Sequence, residues 1–92
     1  MTSEVVRTAE ITNVRGLHAR AAAKFCSLAQ RFEASITVSK DGMTVGGCSL
    51  MALLMLGAGK GSTITLRAEG AEADTAVDAL CDLVAERFGE ET

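Results

Sequence analysis

A chain of 92 residues with 48% apolar and 23% charged residues predicts one globular domain over residues 1–92, with a single core and no length for a second. Its net charge of −3, without a basic run or stacking aromatics, argues against nucleic-acid binding. No apolar run is long enough to span a bilayer and Met1 to Val5 lack a basic segment followed by an apolar one, so neither membrane insertion nor a secretory signal is expected, and the expected location is cytoplasmic.

Val5 to Thr12 reads as a strand in which Val5, Ala9 and Ile11 share one face and Thr8, Glu10 and Thr12 the other, with Arg7 out of pattern. Asn13-Val14-Arg15-Gly16 is a turn-forming link. From Ala19 to about Phe32, the residues Ala22, Phe25, Cys26, Ala29 and Phe32 recur at helical spacing and predict one buried stripe. His18, the only histidine, then falls at or near the N-cap, where Ser, Asp or Asn is the ordinary choice. That departure from the local rule points to function. An imidazole there, with Arg20 two residues on, can act as a neutral nucleophile facing free backbone N–H groups in a weakly positive field. Those are the needs of a group that accepts a phosphoryl and passes it on. The N–H groups near Ala19 and Arg20, with the Arg20 guanidinium, can hold the dianion.

Ala34, Ile36 and Val38 alternate with Ser35, Thr37 and Ser39 as a half-buried strand, and Asp41-Gly42 turns it into a short return, Met43 to Gly46. Ser49 caps a helix from Leu50 to Leu56 that ends at Gly57. This helix is apolar on every side, so some of Leu50, Met51, Leu54 and Met55 must face solvent, as a docking surface does. Gly57 to Gly61 lacks the Lys-Ser/Thr pair and following helix of a nucleotide loop. Ser62 to Ala68 is a further alternating strand. The last helix runs from about Glu72 to Phe88 on the stripe Ala73, Ala76, Val77, Leu80, Cys81, Val84 and Phe88, with Glu72 and Asp74 at its positive end, Arg87 at the other and Gly89 as its stop. Glu90, Glu91 and Thr92 are expected to fray. The order β-α-β-β-α-β-α, with alternating strands, predicts an α/β two-layer sandwich.

Cys26, Cys48 and Cys81 are odd in number and widely spaced, which argues against a disulfide framework or a zinc site. Cys26 and Cys81 fall on apolar helix faces, where a free thiol packs as a small hydrophobe. No metal is expected.

At Gly16-Leu17-His18-Ala19-Arg20 the sequence resembles the HPr family, the histidine-containing phosphocarriers of the bacterial phosphotransferase system. The Asp41-Gly42 hairpin, Ser49-Leu50-Met51 through Leu56-Gly57, and Ile64-Thr65 through Gly70 fall in that family's order, so the resemblance covers roughly Val5 to Phe88. It implies an open-faced β-sandwich, four antiparallel strands in the order 1-4-2-3 with three helices on one face. It also implies that His18 accepts a phosphoryl on Nδ1 from enzyme I, itself charged by phosphoenolpyruvate, and donates it to a histidine of an enzyme IIA-type protein. Arg20 takes the active-site arginine position. Ser49 aligns with the serine that HPr kinase/phosphorylase modifies in some members, and partner binding is expected at Ala23, Leu50, Met51, Leu54 and Met55. No cofactor is implied, and a monomer is expected that relays phosphoryl groups without being a stand-alone turnover enzyme. Many members have proline where this chain has Ala21, a change expected to loosen the first helical turn slightly. The alternative reading is a regulatory protein-binding module of the same fold, controlled at His18 and Ser49. A hydrolase using His18 as base lacks a placed nucleophile and orienting carboxylate.

Overall fold

The computed structural model describes residues 4–92, so the reading of Met1 to Ser3 lies outside the described residues. Period-two alternation produces four strands, β1 (Glu4–Glu10), β2 (Ser35–Lys40), β3 (Met43–Gly46) and β4 (Thr63–Glu69). They form one antiparallel sheet in the order β1-β4-β2-β3. Ile36 and Val38 of β2 and Ile64, Leu66 and Ala68 of β4 are buried, while Ser35, Arg67 and Glu69 on the opposite face are exposed. Three helices cover the apolar face: α1 (Ala19–Ala29), α2 (Leu50–Met55) and α3 (Ala73–Ala85). Ala22, Phe25, Leu53, Val77, Leu80 and Val84 supply the other half of the core. The two-layer sandwich and its element order are therefore as expected.

Local chemistry sets most boundaries. Asp41 and Gly42 both take positive φ, 49° and 83°, as a two-residue hairpin turn requires. Ser49 caps α2, its Oγ accepting the Ala52 N–H at 3.3 Å. Among the described residues, no helix is long and apolar enough to cross a membrane.

Three expectations need correction. The β1 ladder ends at Glu10 instead of Thr12, because Ile11 turns its bonds to the segment before β4, donating to Ser62 O at 2.8 Å and accepting from Gly61 N at 2.7 Å. α1 stops at Ala29, and the tighter bonds Arg31 N to Leu28 O and Phe32 N to Ala29 O carry half-buried Phe32 onto the core. The largest difference is at the end. α3 stops at Ala85, and Arg87–Gly89 form a 3-10 turn with φ of 58°, 55° and 80°. Phe88 is fully buried all the same. Two adjacent non-glycine residues in the left-handed region are costly unless packing holds them, and the buried phenyl ring supplies that hold. Arg87 therefore lies past the end of α3 and donates to Glu91 O at 2.9 Å. At the other end of α3, Glu72 is the N-cap, yet its carboxylate accepts the Glu33 N–H at 2.8 Å, tying the helix start to the loop before β2.

Candidate functional site

The loop from Asn13 to His18 is built by backbone constraints before any side chain reaches the surface. Gly16 adopts φ +66°, and a Cβ there would stand 2.6 Å from Ala58 O and 2.7 Å from the Gly59 Cα, so no other residue lets this loop lie against the segment after α2. Leu17 N donates to Ala58 O at 2.8 Å, and Asn13, fully buried, donates from Nδ2 to Gly16 O at 2.8 Å. His18 follows as the N-cap of α1 with extended backbone, φ −79° and ψ −178°, and makes no side-chain cap bond. Its carbonyl accepts the Ala22 N–H. The N–H groups of Ala19, Arg20 and Ala21 take no acceptor among the described residues. Three donors therefore stand free at the positive end of the helix, an anion site in waiting. Ala21 contributes the third of them, which a proline cannot. Its methyl group is fully buried.

The imidazole itself is engaged from a direction that sequence reading missed. Glu90, expected to fray, is half-buried: its Oε2 pairs with His18 Nε2, and its Oε1 accepts from Asn13 Nδ2 at 2.9 Å. The left-handed turn at Arg87–Gly89 is what redirects the chain end toward α1. A carboxylate can only accept, so Nε2 carries the proton of this pair, and in the neutral ring that leaves Nδ1 as the acceptor nitrogen. The hydrogen bonds from Asn13 and then His18 hold the Glu90 carboxyl below its ordinary value of 4.5. A carboxylate so depressed contributes its pairing fully above the ordinary range, and that contribution is lost as pH falls through the lowered value.

Positive charge gathers on the same side. Val14, Arg15, Arg20, Glu90 and Thr92 line a cleft of about 240 Å³, so Arg15 shares the cleft with Arg20, and its charge acts on the Glu90 carboxylate. Arg20 is exposed. No group of three or more His, Cys, Asp or Glu side chains comes together as a metal site among the described residues.

The expected docking residues divide. Leu50, Met51 and Met55 are 38%, 69% and 70% exposed, Ala23 is exposed on α1, and Leu54 is only half-buried against the core. Leu53, on the remaining side of α2, is fully buried. Ser49 is exposed beside this patch.

The family model described as the PTS HPr component phosphorylation site matches residues 5–86. The chain belongs to the HPr family. Among curated HPr-family relatives, it is 46% identical to the phosphocarrier protein HPr of Cupriavidus necator over 84 residues, covering 91% of this chain and 94% of that one. It is 44% identical to the phosphocarrier protein NPr of Shewanella violacea, over 96% and 97% of the two chains. The crystal structure of HPr-C-His from Thermoanaerobacter tengcongensis superposes with a TM-score of 0.90 at 43% identity, covering 98% of this chain and 99% of that one. The HPr fold, open-faced and with the 1-4-2-3 strand order, thus agrees with the sheet described above, and the chain is a phosphotransferase-system phosphocarrier of this family.

One prediction tests the Glu90 contact. In Glu90→Ala, the preference of the imidazole for the Nε2–H tautomer is expected to fall to that of free histidine, seen by NMR as movement of the two ring nitrogen shifts toward each other. Glu90→Gln should retain the tautomer, since the amide oxygen still accepts, but lose the dependence of the contact on acidification. Unchanged ring nitrogen shifts in Glu90→Ala would show that the pair does not set the tautomer.

Proposed function

We propose that His18 accepts a phosphoryl group on Nδ1 from phosphorylated enzyme I, ultimately from phosphoenolpyruvate, and passes it to a histidine of an enzyme IIA-type protein. The observation that carries this reading is the Glu90 carboxylate on Nε2, which leaves Nδ1 as the free nucleophile beside three unpaired N–H groups. As the Nδ1 lone pair forms its bond to phosphorus, the bond from phosphorus to the donor breaks and its electron pair returns to the donor. The positive charge that develops on the ring is met at Nε2–H by Glu90. The phosphoryl oxygens accept from the first turn of α1, and Arg20 adds a charge-assisted bond. Glu90 also places a negative charge near the bound dianion, which keeps the phosphorylated state from becoming too stable to hand on.

The test is incubation with enzyme I and phosphoenolpyruvate, then mass measurement in alkali and in acid. An added phosphoryl that survives alkali and is lost in acid supports the reading; absence of any label with a competent enzyme I sinks it.

Partners are expected to dock on the exposed face of α2 with Ala23 of α1. Leu50→Glu should weaken enzyme I binding by about tenfold, the scale of a contact worth more than 1 kcal/mol. The unfolding midpoint should barely move, because exposed substitutions stay within about 0.5 kcal/mol. Unchanged affinity by titration calorimetry would remove this surface from the docking site.

A regulatory role for the same face is the second reading, favoured by the exposure of Ser49 at its edge. A phosphate there, placed by an HPr kinase/phosphorylase, adds about −1.5 to −2 charge beside an apolar contact. Ser49→Asp is expected to slow phosphoryl acceptance while Ser49→Ala loses about 1 kcal/mol of stability with the cap. Equal phosphotransfer rates in the two variants would leave Ser49 with capping alone.

A further inference from the structure

Sequence spacing assigns the cysteines no common role, but the fold brings two of them together. Cys26 lies on α1 and Cys48 in the turn before α2, and Cys26 Sγ donates to the backbone oxygen of Cys48 at 2.9 Å. Standard bond lengths put that sulfur no more than about 5.3 Å from the Cys48 Cα. Gln30 Nε2, one turn further along α1, donates to the same sulfur at 3.4 Å. Cys48 is exposed and Cys26 half-buried. Cys81 has a different neighbourhood, with Arg7, Asp78 and Asp82 about it.

We propose that Cys26 and Cys48 are a redox-sensitive thiol pair that closes reversibly into an intramolecular disulfide and fastens the start of α2 to α1. The proximity of the two thiols also appears in the Cys48 thiol, which partial burial first and then the neighbouring Cys26 thiolate push upward. With a peroxide as oxidant, the exposed Cys48 sulfur attacks one peroxide oxygen, the O–O bond breaks, and a sulfenic acid and one water result. Cys26 then attacks the Cys48 sulfur; the S–O bond breaks and its hydroxyl leaves with the Cys26 proton as a second water. Two thiols and one peroxide thus give one disulfide and two waters. The raised Cys48 thiol makes the first step slow at neutral pH and faster as pH rises, because the thiolate is the nucleophile.

The location gives the bond a consequence. Cys48 directly precedes Ser49, and Leu50 follows, so the disulfide would fix the edge of the docking face against the helix that carries His18. This consequence rests on the phosphocarrier reading; the bond itself does not.

The full-length protein, reduced and then treated with hydrogen peroxide, is digested with trypsin without reductant after alkylation. Cleavage separates Phe25–Arg31, Asp41–Lys60 and Ala68–Arg87, so each cysteine reports on its own peptide. The expected product is a monomer lighter by two hydrogen atoms, with the first two peptides joined and Cys81 alkylated. Cys26→Ser and Cys48→Ser should each abolish it, and Cys81→Ser should keep it. A covalent dimer through Cys48, a bond that uses Cys81, or over-oxidation of Cys48 beside a free Cys26 would overturn the pair. The oxidised monomer should then accept phosphoryl from enzyme I several-fold more slowly than the reduced one, with recovery on adding dithiothreitol. Equal rates overturn the regulatory role. If the reduced protein takes no phosphoryl, the carrier reading fails, while the mapped disulfide is judged by its own peptides.

Discussion

His18→Ala is expected to lose all phosphoryl acceptance from enzyme I while folding normally. The loss is complete because the chain has a single histidine and the donors at the first turn of α1 act only on a phosphoryl already attached beside them. Stability should fall by no more than about 1 kcal/mol, because the imidazole makes no cap bond and its removal strips half-buried Glu90 of one partner while Asn13 still donates to it. The measurement is intact mass after incubation with enzyme I and phosphoenolpyruvate, with the unfolding midpoint alongside. Label retained on His18→Ala at the wild-type level would place the acceptor elsewhere. Arg20→Ala offers the graded comparison: acceptance should persist at a reduced rate, since the N–H groups of Ala19, Arg20 and Ala21 remain.

The second large effect is on stability and reaches the site through the backbone. Phe88→Ala removes a fully buried ring and is expected to cost about 3–5 kcal/mol. For a domain of this size, that is a fall in Tm of about 4–8 °C per kcal/mol. The ring also holds the turn in which Arg87 and Phe88 both adopt positive φ, and that turn carries Glu90 to His18. Phe88→Ala should therefore release Glu90 as well as soften the core, so the ring nitrogens of His18 should show the same loss of tautomer preference as in Glu90→Ala. Phe88→Leu, which restores most of the buried volume, should recover much of both. A destabilised Phe88→Ala with wild-type imidazole shifts would separate the core from the site and refute the coupling.

Much of this architecture could be read from residue order. Alternation in the strands, helical spacing in α1 and α3, the Asp41-Gly42 turn and the Ser49 cap are local rules, each satisfied within a few residues, and together they require the two-layer sandwich. His18 stood out as a histidine at a helix start with Arg20 close behind, but its expected role as phosphoacceptor came from the resemblance of Gly16-Leu17-His18-Ala19-Arg20 and the chain around it to the HPr family.

What lay hidden depends on residues far apart in the chain. Phe88 sits four residues after Val84, so a helix continuing to Phe88 and a helix broken at Ala85 bury the same ring, and periodicity cannot tell them apart. The break nevertheless decides where Glu90 goes, and with it which imidazole nitrogen is free. Asn13 reads as a turn residue, yet burial makes it the bridge between Gly16 and Glu90. Cys26 and Cys48 carry no spacing signal, because only the packing of α1 against the start of α2 brings them into contact. The sequence by itself determined the two-layer fold, the place of its single histidine at a helix start and the apolar helix after Ser49, because hydrophobic period and capping act over one or two turns. Only the tertiary structure decided the partners of His18, Asn13 and Glu90 and the contact of Cys26 with Cys48, because those depend on where residues far along the chain return and how the helices pack.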